Sequence, residues 1–312
     1  MMIALYPAWT FAADWPQRPV TVVVPFAAGG NTDTVARILC QRLTEKLGQP
    51  FVIDNRGGAS GAIAAANVAS AAPDGYTLLL GSTPQIAIVP FIQKVSYDPR
   101  KDLIPTSIFA IGTFVLAVSA AVPADTMADF IAYAKARPGK LVYGSGGNAT
   151  ISRLGGALFA ARAGLQLVHV PYRGGGPAVM DFLANRFDMY FGSALEFVQY
   201  RDDKRIRLLG ISSEQASPQF PGLPPIADVL PGFKLSTWNG LMAPAATPRA
   251  IVDVLVRETI DAATDPVVAG RLRQLNIEPR GSSQEEFAAI IRDEQPTFDA
   301  AIKAAQLNDE KP

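Results

Sequence analysis

Paired glycines that follow predicted strands are the residues in this sequence best suited to binding chemistry. The β-branched run Val20–Val24 predicts a strand buried on both faces of a parallel sheet. Gly29 and Gly30 follow it, and an amphipathic helix is predicted from about Thr32 or Asp33, either of which could cap it. In such a turn, unpaired main-chain N–H groups and the helix dipole point at the same place, which indicates an anion-binding site. The alternative is a turn that merely needs glycine.

The type of anion is narrowed by motifs that the sequence lacks. No Gly-Lys-Ser/Thr sequence is present to form a phosphate loop. Two adjacent glycines also fail to match the Gly-x-Gly-x-x-Gly spacing of a dinucleotide-binding fold. A carboxylate is therefore the predicted ligand group.

The single cysteine and the single histidine limit other chemistry. Cys40 cannot form a disulfide within the chain, and with His169 alone it cannot build a zinc cluster. We interpret Cys40 as a small buried hydrophobe and His169 as a hydrogen-bonded structural residue. A rival hypothesis is a hydrolase that uses Ser145 or Ser193 with His169. The absence of a Gly-x-Ser-x-Gly nucleophile elbow argues against it.

Composition predicts a soluble globular protein without a nucleic-acid partner. The 312 residues are 49% hydrophobic and 18% charged, and the 28 basic residues balance the 28 acidic ones. Residues 1–14 are interpreted as a partial signal peptide, with small residues at its end but no basic start, and a short disordered tail is the alternative. We therefore expect an exported protein. We also expect it to be monomeric and to need no cofactor or metal.

The elements that must position the glycine turns repeat along the chain. Further strands are predicted at 51–55, 77–80, 114–119, 140–143, 165–170 and 206–211, and glycine-rich turns follow at 56–61, 81–84, 144–150 and 171–177. Strands that alternate with helices predict an α/β fold with two lobes, each a mostly parallel sheet flanked by helices. Because the turns fall at the carboxyl edge of each sheet, the ligand cleft is predicted between the lobes.

The chain is predicted to cross between the lobes twice, near Ser119 and near Trp238. Residues 15–118 and 238–312 are assigned to domain 1, and residues 119–237 to domain 2, which is the layout of a hinged binding protein. The helices predicted after residue 247 have no glycine turns of their own, so we place them against the first lobe as packing. Trp238 is interpreted as hinge packing rather than an aromatic platform.

Several short motifs occur in a fixed order from about Trp15 to the last helix. They are Pro25-Phe26-Ala27-Ala28-Gly29-Gly30-x-x-Asp33, Asp54-Asn55-Arg56-x-Gly58-Ala59-x-Gly61, Pro73-Asp74-Gly75-Tyr76-Thr77-Leu78-Leu79, Tyr143-Gly144-Ser145-x-Gly147, His169-Val170-Pro171-Tyr172-Arg173-Gly174 and Ser236-Thr237-Trp238-Asn239-Gly240-Leu241. In residue type, order and spacing, these motifs resemble those of the Bug family, the extracytoplasmic substrate-binding proteins of tripartite tricarboxylate transporters.

The resemblance implies a periplasmic-binding-protein fold of the second type, which closes like a flytrap on a small organic acid. It implies that main-chain N–H groups, small hydroxyls and ordered water hold the carboxylate, and that the protein is not an enzyme. Transferred position by position, the implied ligand contacts are Phe26, Ala27, Gly30, Thr32, Asp33, Ser82, Thr83, Asn148, Ala149, Thr150, Pro171, Tyr172, Arg173 and Ser193.

Individual residues in this set have alternative roles. Asp33 would repel an acid, so within the site it would order a water or the turn. Arg173 fits either a loop rim or a contact to the anion, and Phe26 and Tyr172 could line the cleft from opposite lobes. Arg153 departs from the family, in which many members have histidine there. This cation either favours a second carboxylate or points into solvent.

The function implied by the resemblance is a receptor that captures a carboxylate by lobe closure and delivers it to membrane transporter subunits. A ligand-binding partner of a membrane sensor kinase is the alternative that the sequence does not separate from transport. The acid itself also stays open, because dicarboxylates, citrate-like acids, amino acids, nicotinate-like acids and aromatic acids all suit main-chain recognition.

Overall fold

The computed structural model describes residues 15–307, so the predicted signal segment 1–14 lies outside the described residues. The strands among the described residues are β1 (Val20–Val24), β2 (Phe51–Asn55), β3 (Thr77–Ser82), β4 (Leu103–Ser119), β5 (Val142–Ser145), β6 (Val168–Pro171), β7 (Met189–Ser193), β8 (Ile206–Ile211), β9 (Ser236–Pro244) and β10 (Ile277–Pro279). The helices are α1 (Asn31–Leu47), α2 (Ala62–Ala69), α3 (Val89–Ile92), α4 (Met127–Lys135), α5 (Ile151–Ala163), α6 (Gly175–Leu183), α7 (Ala194–Phe197), α8 (Arg249–Thr264), α9 (Pro266–Gln274) and α10 (Gln284–Ala304). None of the helices within 15–307 is both long and apolar enough to cross a membrane.

Each lobe contains a group of three parallel strands, as the strand–helix alternation predicts. In the first lobe, β1 lies between β2 and β3 and pairs with both in parallel. In the second lobe, β5 lies between β6 and β7 and again pairs with both in parallel. The four valines of β1 are fully buried, because helices cover both faces of a parallel sheet.

The remaining strands add antiparallel pairs to the parallel strands of each lobe, so both sheets are mixed. β9 runs antiparallel to β3 and β4, β10 runs antiparallel to β4, and β7 and β8 also run antiparallel to β4. The cause is the path of β4, which serves both sheets. Its pairing changes from β9 at Thr113 to β7 at Phe114.

The length of β4 was underestimated by the sequence pattern, which predicts a strand only at 114–119. The first half of β4 contains Pro105 and two register shifts against β9, between Pro105 and Ser107 and between Ile108 and Ala110. Each bulge interrupts the alternation of side chains between the two faces. A periodicity search therefore misses this half of the strand.

Of the three C-terminal helices, α8 and α9 pack against the first lobe, where the sequence analysis places them, and α10 does not pack there alone. Ile251 of α8 and Leu272 of α9 belong to the same buried cluster as β1, in the first lobe. α10 instead spans both lobes. Near its start the Phe287 ring packs against the Trp238 ring, with centroids 4.8 Å apart, and near its end it packs against α5 of the second lobe. Trp238 is buried in this contact, which agrees with the packing role expected for it.

Candidate functional site

The first glycine turn has the predicted strand–turn–helix geometry, with one correction to its cap. Gly30, not Thr32 or Asp33, is the N-cap residue of α1, and no side chain caps this helix. The Asp33 carboxylate instead reaches back into the turn, where it accepts hydrogen bonds from the Gly29 amide at 2.8 Å and from Arg37 Nε at 2.8 Å. Gly29 has φ 87°, which favours glycine.

Asp33 is buried and ionised. Burial by itself raises the pKa of its carboxyl group, but hydrogen bonds from Arg37, Gly29 and Asn55 outweigh it and hold the pKa below its ordinary value. The Asn55 amide donates both to Asp33 Oδ1 and to the Phe26 carbonyl, each at 3.0 Å. These contacts fit the interpretation in which Asp33 orders the turn. Asn55 is a supporting residue that the transferred contacts omit.

The turn after β2 lies beside the first turn. A Cβ placed on Gly57 would lie 3.6 Å from the Ala27 nitrogen. Within this second turn, the Ser60 carbonyl accepts a hydrogen bond from Gln85 Nε2 at 3.0 Å. Gln85 Oε1 in turn accepts from the Ser82 amide and hydroxyl, at 3.0 and 2.9 Å. Gln85 is thus a buried link between two turns of the first lobe, and no sequence motif marks it.

Ser82 is the last residue of β3, Thr83 follows it, and both are buried. Thr83 Oγ1 accepts a hydrogen bond from the Trp238 amide at 3.3 Å and lies 3.3 Å from Thr237 Oγ1. The hydroxyls of these two expected ligand contacts therefore also attach the end of β3 to neighbouring elements.

Two asparagines that the sequence analysis does not assign to the site carry side-chain atoms without a partner among the described residues. Asn239 lies opposite Ser82 on β9, has 0% of its surface exposed, and has neither amide atom bonded. Asn31 Oδ1 is likewise buried without a partner, near Gly112. Buried amides are nearly always hydrogen-bonded, so both are candidates for contact with a ligand or a water. A buried asparagine within the apolar strand β9 is the signal that could have identified the first.

The second-lobe turn repeats this geometry between β5 and α5. Thr150 is the N-cap residue, and its Oγ1 accepts from the Arg153 amide at 3.4 Å while donating to the Gly147 carbonyl at 2.7 Å. The Gly146 amide donates to Ser152 Oγ at 2.9 Å. Asn148 is exposed in this turn, and Ala149 is buried below it. The turn therefore presents main-chain groups and one amide side chain at the start of α5.

Ser145 and His169 do lie together, as the hydrolase hypothesis requires, with Ser145 Oγ 2.7 Å from His169 Nε2. The serine is fully buried, and its oxygen also accepts from the Gly147 amide at 3.2 Å. Burial, with a smaller effect of Arg153, lowers the pKa of His169 to about 4, so the ring is neutral. The pair anchors the glycine turn to β6, which is the structural role expected for His169.

The loop after β6 contributes mainly exposed groups. Pro171, the last residue of β6, and Arg173 in the loop after it are exposed at the rim. The Tyr172 hydroxyl donates to Asp181 Oδ2 at 3.0 Å, and its ring packs against Phe187. This hydroxyl is therefore directed at its own lobe.

Glu196, which the sequence analysis does not discuss, lies against the start of α6. Its Oε2 accepts hydrogen bonds from the Tyr190 hydroxyl at 3.0 Å and from the amide of Ser193, the N-cap residue of α7, at 3.2 Å. A Cβ on Gly175, the first residue of α6, would collide with this carboxyl group. Burial raises the pKa of Glu196 to about 7. The Ser-x-x-Glu spacing of Ser193 and Glu196, which is typical of a capping box, is the sequence signal that could have identified Glu196.

Arg153 does not point into solvent, so that alternative is wrong. Only 8% of its surface is exposed. Its Nη1 donates to Asn148 Oδ1 at 2.9 Å, and its Nη2 donates to the Ala305 carbonyl at the end of α10, at 3.3 Å. The guanidinium thus connects the second-lobe turn to the C-terminal helix.

Turns from the two lobes face each other at close range. A Cβ placed on Gly147 of the second lobe would lie 3.9 Å from Ser60 Oγ of the first lobe and 3.5 Å from the Tyr172 carbonyl oxygen. Within residues 15–307, no group of three or more His, Cys, Asp or Glu side chains is placed to bind a metal ion. The arrangement suits binding through backbone amides and small polar groups.

Two mixed α/β sheets that share β4, with glycine turns opposed between the lobes, define the class of the periplasmic binding proteins. Solved structures agree with this class. A Rhodopseudomonas palustris protein, Rpa4515 with adipate, is 33% identical with a TM-score of 0.90, and the match covers 94% of this chain and 99% of that chain. The periplasmic binding protein BugD is 30% identical with a TM-score of 0.87 over 96% and 100% of the two chains. MatC of the same species as Rpa4515, with bound malate, is 30% identical with a TM-score of 0.85 over 92% and 100%.

The family model described as "Tripartite tricarboxylate transporter family receptor" (TctC) matches residues 35–307. This chain belongs to that family, which confirms the resemblance drawn from its motifs. It is a family of solute-binding receptors rather than enzymes. The Ser145–His169 pair is accordingly a structural feature of a receptor.

Proposed function

We propose that this protein is a periplasmic receptor that captures a small carboxylate, foremost a dicarboxylate, by closure of its lobes and delivers it to a tripartite tricarboxylate-type transporter. The observation that supports this most is the opposition of glycine turns from the two lobes, seen at Gly147 and Ser60. Structures of relatives contain adipate and malate, which are both dicarboxylates.

The physical basis is the set of amides at the starts of α1 and α5. A helix N-terminus stabilises an anion by roughly 0.3–2 kcal/mol, depending on how deeply it is buried. Closure adds the second set of donors only when one ligand contacts both lobes, so the ligand shifts the population towards the closed form. Neither helix needs a cationic side chain for this.

In the proposed complex, the transferred residues divide by role. Phe26, Ala27 and Gly30 of the first lobe, with Asn148 and Ala149 of the second, offer groups to the ligand. Asp33, Ser82, Thr83, Thr150 and Ser193 hold the turns in place through the hydrogen bonds described above. Thr32, Pro171, Tyr172 and Arg173 surround the ligand.

The division of the chain is also part of the proposal. Residues 15–118 and 238–312 would move as one lobe and residues 119–237 as the other, in a monomer. Because α10 contacts both the first sheet and α5, it would bend or slide at its C-terminal end as the lobes open.

A thermal-shift screen tests the proposal. The panel contains adipate, malate, citrate, aspartate and nicotinate, with neutral sugars as the control. A ligand present at 100 times its Kd stabilises the folded form by about 2.7 kcal/mol, so a genuine acid ligand raises the melting temperature by several degrees. Stabilisation by sugars with none by acids would contradict the proposal, and turnover of a bound acid detected by mass spectrometry would contradict a pure receptor role.

A further inference from the structure

Arg153 is attached on one side to the candidate site and on the other to the last helix. It lies in the first turn of α5, where its Nη1 donates to the side chain of Asn148 at 2.9 Å. Its Nη2 donates to the carbonyl of Ala305, the C-cap residue of α10, at 3.3 Å. Together with a hydrogen bond between Arg153 and the Tyr143 side chain, these bonds hold the guanidinium between elements that are distant in sequence.

The chemistry of the guanidinium determines how the Asn148 amide is turned. Arginine carries only donors, so the amide atom that faces it must be the carbonyl oxygen. The NH₂ group of Asn148 is then directed away from Arg153, on the exposed side of the turn. Without Arg153 the amide could turn either its oxygen or its nitrogen outwards, since the two ends have nearly the same shape.

Electrostatics explain how a cation is tolerated at this position. A positive charge near the N-terminus of α5 is opposed by the helix dipole, whereas the C-terminal carbonyls of α10 favour it. Burial, with a smaller contribution from Arg153, lowers the pKa of His169 to about 4, so the ring is neutral and adds no second positive charge beside the guanidinium. The end of α10 thus offsets the unfavourable position of the charge on α5.

We propose that Arg153 is a positioning residue, which holds the Asn148 amide with its NH₂ group outward so that it donates to an acceptor oxygen of the ligand. This rests on the proposed function. An outward donor recognises a carboxylate or carbonyl oxygen and disfavours an ammonium group. The arginine therefore acts on the acid through Asn148, with the orientation set before the ligand arrives.

A double-mutant cycle tests the coupling. The variants are Arg153→Met, Asn148→Ala and the double substitution, with Arg162→Met, an exposed arginine on the same helix, as the matched control. Isothermal titration with adipate and malate gives Kd for each variant. We expect Asn148→Ala to weaken binding about tenfold and Arg153→Met to weaken it about fivefold. In the protein that already carries Asn148→Ala, Arg153→Met should weaken binding by less than a further twofold. The control should bind as the wild type does.

Equal weakening by Arg153→Met in both backgrounds would overturn the proposal, because it would show a structural effect that bypasses Asn148. If Arg153→Met does not fold, Asn148→Asp gives an independent answer. That variant keeps an oxygen for Arg153 but loses the outward donors, so it should weaken binding more than Asn148→Ala. Binding by Asn148→Asp as tight as by the wild type would overturn the proposal too. If the wild type binds no acid, the proposed function is overturned together with the role of Arg153. If the wild type binds an acid but the effects of the Arg153 and Asn148 substitutions are not coupled, only the role of Arg153 is refuted.

Discussion

Replacement of Glu196 by glutamine should stabilise the protein at alkaline pH and leave it nearly unchanged at acidic pH. The carboxyl group is held against Gly175, and burial raises its pKa from 4.5 to about 7, against the opposing effect of hydrogen bonds from Tyr190 and Ser193. The unfolded chain releases this proton at lower pH than the folded protein does. Between about pH 4.5 and 7 the folded state therefore binds more protons, and its stability falls as the pH rises.

The size of the effect follows from the pKa. Each pKa unit corresponds to about 1.4 kcal/mol, so the full rise would cost about 3 kcal/mol above pH 7. Glu196 as a whole residue is only partly buried, and solvent screening reduces the expected cost to roughly 2 kcal/mol. Glutamine keeps an acceptor oxygen for the Tyr190 hydroxyl and carries no charge. It should thus recover most of this free energy at pH 8.

Urea unfolding of the wild type and the Glu196→Gln variant at pH 5 and pH 8 measures this difference directly. The variant should gain about 2 kcal/mol relative to the wild type at pH 8 and less than about 0.5 kcal/mol at pH 5. Glu45→Gln, at an exposed position on α1, is the control and should show no such change between the two pH values. The same stability difference at both pH values would refute the assignment of a buried, weakly acidic carboxyl group to this position.

Three further substitutions test other parts of the structure. Thr150→Ala removes the cap of α5 and should lower the free energy of unfolding by about 1 kcal/mol while weakening acid binding, whereas unchanged stability in urea would contradict the capping role. Asp33→Asn breaks the contact with Arg37 and should cost about 1–3 kcal/mol at neutral pH. Because the pKa of Asp33 is lowered, that loss should shrink as the pH falls below 3.8. Melting temperatures of the wild type and the variant across pH 3 to 7 measure the loss, and a loss of the same size at every pH would contradict this role of the ionised carboxylate. Trp238→Ala leaves a cavity against Phe287 and should cost about 3–5 kcal/mol, and a loss below 1 kcal/mol in urea would show that the ring is not part of the core.

The parts of the fold that sequence reasoning predicted depend on contacts close in sequence. β1, the Gly29–Gly30 turn and the end of α1 at Gly48 follow from a β-branched run, two glycines and helical periodicity, all within thirty residues. The repeat of this unit in the second lobe was found for the same reason. Burial on both faces leaves an uninterrupted apolar run that is easily recognised.

The parts that were missed depend on partners far apart in the chain. Arg153 and Ala305 are 152 positions apart, and Asn31 lies against Gly112 only because α1 packs on the sheet. The N-cap of α1 was misassigned for a related reason. Asp33 has a suitable side chain, but the long-range donor Asn55 and the neighbouring Arg37 draw its carboxylate away from the capping position. The hydrophobic periodicity of a sequence does not show which donors compete for a side chain such as the Asp33 carboxylate.

The carboxylates that the protein itself supplies indicate which helix starts are left for a ligand. Asp33 accepts from the Gly29 amide, and Glu196 lies over Gly175 at the start of α6. An amide that already donates to a carboxylate of the protein has little to offer a second anion, and an ionised neighbour repels one. The start of α6 is thus a poor place for an acid above pH 7. At α1, Asp33 occupies only the Gly29 amide, which precedes the N-cap Gly30, and its charge is paired with Arg37. The amides of the first turns of α1 and α5 therefore supply one set of donors from each lobe. On the proposed function, a dicarboxylate would reach both sets and a monocarboxylate only one, so closure would favour acids with a charge at each end.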